Sequence, residues 1–556
     1  MKQLLGQLLR TQRRSLLRAL AGSLLVVVAM LGVPLLVAQV VDALSRPDPL
    51  DRLPELAAAL AALGVLRTIG GALRKWYAGL FMNGMGRDLR VQLHDHLQLL
   101  DLGYHARMGS GQLLGRTAGD IAVVEAFVGA LPYFSQAGLV GVAGIGVMLW
   151  IAPAVTAVIV VATVGLVAAV VTLSRSLHVT STRLAGLLGS FTAYVEQQVR
   201  GIQVVKGHGF ESGQLERGLD LAADVQRHAV KAGRQRALML TSLLAIPGLA
   251  TLLVLGLGGR QALDGGLTAG ELLALVQYLG LLVLPIIVGA QILTMWPTAK
   301  ASLTRIAEVL AAVPAVRTGT ATGSGPGIVL RGVTYGVLES FDLDVPAGTS
   351  LALVGPSGCG KSTVLELVDR LHDPASGSVE VGGVDVRDWD LAGLRGEVTF
   401  VFQEAQLFSA SIEDNVRSGA EGDVQRALDA AQATSFVDTL PQGVATVVGE
   451  RGSSLSGGQR QRVALARGLV RETDVLLLDD VISALDPTTA RLVRERLADF
   501  LPGRTAIVVA QDHEVAALAD QVALLDGGQV VARGTHAELL LMDRYRAALG
   551  LMEAAS

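Results

Sequence analysis

The 556-residue sequence predicts a polytopic α-helical membrane domain of six transmembrane helices followed by an α/β domain built around a phosphate-binding loop. Three observations carry this expectation. Hydrophobic residues make up 51% of the chain and charged residues only 17%, too apolar for an ordinary soluble protein, and the apolar text concentrates before about residue 300. After residue 328, short Val/Leu/Ile runs alternate with amphipathic segments, the pattern of a largely parallel sheet covered by helices. Finally, GPSGCGKST at 355–363 fits G-x-x-x-x-G-K-[ST], between a run that reads as a buried strand (350–354) and an apolar helical run (364–371).

Residues 1–18 are basic and amphipathic and enter a long apolar run with no small-residue cleavage site. That is the pattern of an interfacial helix leading into a membrane span, not of a cleaved signal peptide. A span needs about 20 mainly apolar residues. The stretches 19–41, 56–80, 127–151, 154–177, 238–257 and 272–295 qualify. The second carries Arg67, Arg74 and Lys75, so it faces an aqueous cavity or runs past the membrane edge. These three are also the candidates to meet an anionic substrate, against the alternative that they snorkel to the interface. Lys and Arg crowd the N-terminus (Lys2, Arg10, Arg13, Arg14, Arg18) and the second and fourth connections, while the other connections are short and nearly free of excess positive charge. The positive-inside rule therefore places both termini and the α/β domain in the cytoplasm of a multi-pass cell-membrane protein.

The two basic connections are too long for turns and are expected to continue the helices into the cytoplasm, bending at 104–121 and 201–211. Gly, Thr and Pro dominate 314–327 without hydrophobic period, so the expected organisation is a membrane domain over 1–313, a linker over 314–327 and a nucleotide-binding domain over 328–556. A net charge of −4 gives no polyanion-binding face, and nucleic acid is not an expected partner. The single cysteine, Cys359, excludes a disulfide framework or a cysteine metal site within one chain.

The phosphate loop spans Gly355, Pro356, Ser357, Gly358, Cys359, Gly360, Lys361, Ser362 and Thr363. Its backbone N–H groups and the following helix dipole suit a nucleoside triphosphate, with Lys361 on the phosphates and the Ser362 hydroxyl on Mg²⁺. VLLLDD at 475–480 reads as a buried strand ending in acids, with Asp479 placed to hold Mg²⁺. LSGGQR at 455–460 offers a serine, two glycines and a helix start, a second anion site of backbone amides.

Together these pieces resemble the ATP-binding cassette (ABC) transporters of exporter type, over essentially the whole chain. The resemblance implies a six-helix domain whose two bends are coupling helices, fused to a cassette that takes ATP and Mg²⁺. It matches the signature motif to Leu455, Ser456, Gly457, Gly458 and Gln459, which would serve a partner's ATP, the Q-loop to Gln403, the D-loop to 483–486 with Asp486, and the loop before the signature to GERG at 449–452. Gln403 joins Ser362 and Asp479 as implied Mg²⁺ ligands. Where the family has a glutamate base this chain has Asp480, and where it has a switch histidine this chain has Gln511. Aspartate is one methylene short of the attacking water and glutamine takes up no proton at neutral pH. His513, two residues on, is a candidate substitute for that histidine, set against the favoured reading of an ordinary loop histidine. The adenine-stacking segment is also shortened, with Tyr335 as the nearby aromatic and Val337 the competing alignment.

An impaired own site beside an intact signature motif implies one half of a heterodimer, whose partner is a homologous half-transporter with the glutamate and histidine. A homodimer is the lesser alternative. The substrate expected is a small molecule, lipid or peptide, moved out across the bilayer. The competing readings are an exporter-fold importer of siderophore type and an ATP-sensing regulatory subunit.

Overall fold

The computed structural model describes residues 6, 9–44, 52–449, 452 and 454–551. It divides into two compact units, Met1–Gln98 with Ser110–Ala312, and Leu99–Gly109 with Val313–Ser556.

Among its described residues the first unit contains six helices long and apolar enough to cross a membrane: α1 (Arg13–Leu44), α2 (Leu53–Leu99), α4 (Ser110–Ile151), α5 (Pro153–Arg200), α7 (Glu211–Leu263) and α8 (Ala269–Ala311). Two short helices, α3 (Leu102–Met108) and α6 (Ile202–His208), fall at the long basic connections. Each expected span lies inside one of the long helices. The helices overshoot the apolar runs because their continuations are amphipathic: the 48 residues of α5 extend roughly 72 Å at 1.5 Å per residue, more than twice the hydrocarbon thickness.

The first bend is shorter than expected. The chain breaks at Gly109, whose φ of 70° favours glycine, and residues from Ser110 onward are already helical. The glycines within 110–121 do not end the helix; Gly115–Asp120 loosens into a π turn instead. Asp120, at the end of that turn, accepts from Arg305 through the guanidinium Nε and Nη2 and from Ser302 at 2.8 Å, which ties α4 to α8. On the other side of the bundle α1 and α2 cross backbone to backbone: a Cβ on Gly70 would lie 2.9 Å from the Gly22 carbonyl oxygen. Asp42 of α1 then caps the start of α8, accepting from Gly270 N and the Thr268 hydroxyl. Of the three basic residues in the 56–80 span of α2, Arg67 and Lys75 are exposed, and the Arg74 guanidinium lies over the Tyr133 ring at 4.3 Å.

Among its described residues the second unit holds ten strands: β1 (Ile328–Tyr335), β2 (Leu338–Val345), β3 (Ser350–Val354), β4 (Ser376–Val381), β5 (Val384–Asp385), β6 (Val398–Val401), β7 (Val475–Asp479), β8 (Thr505–Val509), β9 (Gln521–Asp526) and β10 (Gln529–Gly534). An antiparallel sheet runs β2-β1-β4-β5, and a six-stranded sheet runs β10-β9-β3-β8-β7-β6. Strands β3, β7 and β8 are buried at every residue, as a sheet covered on both faces requires. Because β6, β7, β8 and β3 are parallel neighbours, their C-terminal ends open on one edge, the place where such sheets bind ligands.

Segment 314–327 is no free tether within this unit. Gly319 N donates to Trp389 O at 2.8 Å, Ala321 N to Asp388 O at 2.9 Å, and Ser324 N to Gly382 O at 3.1 Å. Helix α3 also belongs to this unit. Asp101 caps it, and a Cβ on Gly103 would lie 3.9 Å from the His372 ring, which is stacked on Tyr335.

Asp369, directly after α9 (Lys361–Val368), is 7% exposed, and burial pushes its carboxyl up to about 7 despite Arg395 and Arg471. The folded chain keeps this proton where the unfolded chain loses it near 3.8, so this group costs stability as pH rises from about 4 to 7. Asp369→Asn should therefore raise the Tm of the purified chain at pH 8, by up to roughly 4 kcal/mol in stability, and the gain should shrink as pH falls toward 4.5. Equal Tm gains at both pH values would sink this assignment.

Candidate functional site

The loop after β3 is shaped by close approach. A Cβ on Gly355 would lie 2.2 Å from Leu525 O, and Gly360, at φ 104°, would meet Leu338 Cδ2 at 2.6 Å. Only glycine lets the backbone turn this tightly over the start of α9. The result is a cleft of roughly 500 Å³, lined by Gly355, Pro356, Ser357, Gly358, Gly360, Lys361, Ser362 and Thr363 from the loop. The strand ends add Gln403, Asp479, Val509 and Gln511, and Gly336, Val337 and Ala548 close the rest.

Lys361 Nζ donates to Gly355 O at 2.7 Å and Pro356 O at 2.9 Å. The ammonium thus rests on loop carbonyls, a short swing from the anion the loop is shaped to hold. Ser362 donates to the Asp479 carboxylate, whose pKa burial raises against the pull of that hydroxyl and Lys361. A buried carboxylate beside a hydroxyl suits Mg²⁺, which takes one or two protein ligands and completes its shell with phosphate oxygens and water. Among the described residues there is no group of three or more His, Cys, Asp or Glu that could hold a metal.

Asp480 sits just behind this surface and does not line the cleft. It is 5% exposed with φ 49°, and its Oδ2 accepts from Gln403 Nε2 at 3.0 Å and from Gln511 Nε2 at 2.7 Å. Burial raises its pKa, opposed by Ser483 and Gln403 and reinforced by the neighbouring Asp479. Its backbone oxygen accepts from Gln461 Nε2 at 3.1 Å. Gln461, a residue missed in the sequence, thereby ties the strand end to α10 (Gly457–Leu469) and to Ala484 N. The only sequence signal for it is a polar residue on the buried side of an amphipathic helix.

Ser456 is the N-cap of α10 and exchanges capping-box hydrogen bonds with Gln459. Leu455 is buried beneath, Ser456 and Gly457 are exposed, Gly458 packs near Ala484 O, and none of residues 455–459 lines the cleft. Asp486 is likewise away from it, capping the helix Pro487–Phe500 through Thr489 N. Cys359 points into the core at 6% exposure. His513 begins a short helix capped by Asp512 and does not line the cleft. Of the expected 449–452 loop, Glu450 and Arg451 lie outside the described residues.

Tyr335 departs from its expected place. As the last residue of β1 it pairs with Leu338, and its ring stacks on His372 at 5.2 Å; Gly336 and Val337 line the cleft in its stead.

Comparison with known proteins agrees with this architecture. The ABC transporter family model matches residues 338–483, and the ABC transporter transmembrane region model matches residues 16–286. The chain is 33% identical, over 98% of its length, to a multidrug efflux ATP-binding/permease protein of Mycobacterium tuberculosis, and spans 47% of that protein. It is 31% identical to the ATP-dependent lipid A-core flippase of Pseudomonas aeruginosa over 92% of this chain and 89% of the relative. The structure of a bacterial Atm1-family ABC exporter with ATP bound superposes with a TM-score of 0.81 over 98% of this chain and 99% of that one; at 24% identity this likeness speaks for the fold. With six apolar helices fused to a cassette for ATP and Mg²⁺, this multi-pass membrane chain belongs to the ABC transporter family.

Proposed function

We propose that this chain is one half of an ATP-driven exporter that pairs with a different, homologous chain and whose own phosphate loop binds ATP but hydrolyses it slowly. The observation that carries this reading is the clamped carboxylate of Asp480. A general base must touch the attacking water, and Asp480 instead lies behind the cleft with one oxygen already taken by two amide donors. The group in the switch position, Gln511, exchanges no proton at neutral pH. Displacing a base by about 1 Å costs on the order of 10²-fold in rate. The Ser456 amide is taken by Gln459, but Gly457, exposed in the first turn of α10 where backbone amides have no partner within the helix, offers an N–H to an anion outside this chain's own cleft, as completion of a partner's ATP site requires.

In the proposed cycle, ATP favours the closed cassette pair through its differential affinity for that state, and the short helices α3 and α6 pass the closure to the spans. Ser362, Asp479 and Gln403 are the residues that would hold Mg²⁺, which would supply charge neutralisation at the phosphates. The transported molecule is apolar or amphipathic. An apolar groove of about 300 Å³ between α4, α5 and α8, lined by Val167, Pro285 and Leu293 among others, supports this, as do relatives named for multidrug efflux and lipid flipping.

Native mass measurement of the complex purified in mild detergent from its own host tests the pairing. A second, different chain of similar size is expected. A clean homodimer would overturn the asymmetric reading and leave Asp480 and Gln511 to run both sites.

A further inference from the structure

The polar side chains of the nucleotide cleft are gathered at one end. All of them belong to the phosphate loop or to the strand ends at Gln403, Asp479 and Gln511. The other side chains in the lining, apart from Pro356, are Val337, Val509 and Ala548, which carry neither a hydrogen-bonding group nor a π-face. From this arrangement, and on the reading that the cleft holds a nucleotide, we infer that the cassette selects the triphosphate and barely the base, with Val337 as the residue that sets this tolerance.

The β1–β2 register makes the absence of a base reader structural. Tyr335 pairs directly with Leu338, so the hairpin turn has only two residues, Gly336 and Val337, with Gly336 at φ 57°. This short turn is pressed onto the phosphate loop and the β9–β10 turn. A Cβ on Gly360 would lie 3.1 Å from Val337 Cγ2, and a Cβ on Gly528 would lie 2.0 Å from Val337 O. Val337 is therefore held at the cleft wall with half of its surface exposed. Tyr335, the aromatic next to this turn, is engaged with His372 and cannot turn into the cleft without leaving that stack.

Adenine and guanine differ in the donors and acceptors on their edges. A site that hydrogen-bonds such an edge rejects the wrong partner strongly, and an aliphatic wall rejects it weakly. An aromatic ring would add affinity for either base through stacking. Val337 supplies neither, so the binding energy comes from the phosphates.

The test is equilibrium displacement of labelled ATP from the purified full-length chain, with Mg²⁺, by ATP, GTP and inorganic tripolyphosphate. The expected result is that ATP and GTP agree within about threefold and tripolyphosphate falls within about tenfold of both. Val337→Tyr should tighten ATP and GTP together by about tenfold and leave tripolyphosphate unchanged. ATP binding more than about thirtyfold tighter than GTP in the unaltered chain would overturn the inference alone. Failure of all three to bind would overturn the nucleotide reading with it.

Discussion

Replacing Asp480 with glutamate and Gln511 with histidine together raises the ATPase rate of the isolated chain by one to two orders of magnitude. Asp480 is clamped by Gln403 at 3.0 Å and Gln511 at 2.7 Å, and both amides converge on one oxygen. An added methylene carries the carboxylate forward toward the cleft. Removing the Gln511 amide frees the oxygen it holds, and the imidazole adds a group that exchanges protons near neutrality. A gain of about 10²-fold corresponds to about 2.7 kcal/mol of barrier, within reach of a repositioned base. The two changes act on one carboxylate, so they should be strongly non-additive, with either alone recovering a small part. The readout is phosphate release at saturating Mg·ATP together with its pH profile, which should gain an ascending limb near the histidine range in the double variant. An unchanged rate with intact ATP binding would show that these residues do not limit hydrolysis.

What could be read from the chain text follows how local each signal is. The six spans were legible because a bilayer demands about 20 mainly apolar residues in a row, and such runs stand out in a chain this poor in charge. Their true lengths were not, since the cytoplasmic continuations of α5 and α7 are amphipathic and carry no hydrophobic run that marks their ends. The stretch 104–121 misled for a related reason: its glycines look like breakers, yet only Gly109 adopts a conformation that stops a helix. In the cassette the phosphate loop is a contiguous motif between a strand and a helix, so its place was readable. The clamp on Asp480 was not, because Gln403, Asp480 and Gln511 follow three different strands and meet only through the order β6-β7-β8. Tyr335 shows the limit most plainly. Whether it or Val337 faces the cleft is decided by a hairpin register that pairs Tyr335 with Leu338 and leaves Val337 in the turn.

The largest expected loss comes from a residue outside the chain's own cleft. Gly457→Asp in this chain should lower the ATPase rate of the assembled complex by about 10²-fold or more. Lys361→Ala in the same chain should cost no more than about twofold, since on the proposed reading the site it disables turns over slowly. Position 457 is exposed at the start of α10, and a Cβ there would meet nothing within 4 Å, so the substitution has room. A carboxylate in the first turn of a helix is favourable for folding, which separates the effect from misfolding. It is unfavourable for an anion, because it sets a negative charge where backbone amides would receive a phosphate. Lys361 contributes to this chain's own phosphate site alone. If that site and the one completed by α10 were equivalent, as in a symmetric pair, both substitutions would abolish activity to the same degree. The ratio of the two losses, measured on complexes of equal purity and equal thermal stability, therefore reads the asymmetry directly. A ratio near one would remove the basis for an impaired site in this chain, whatever the rate of the isolated protein.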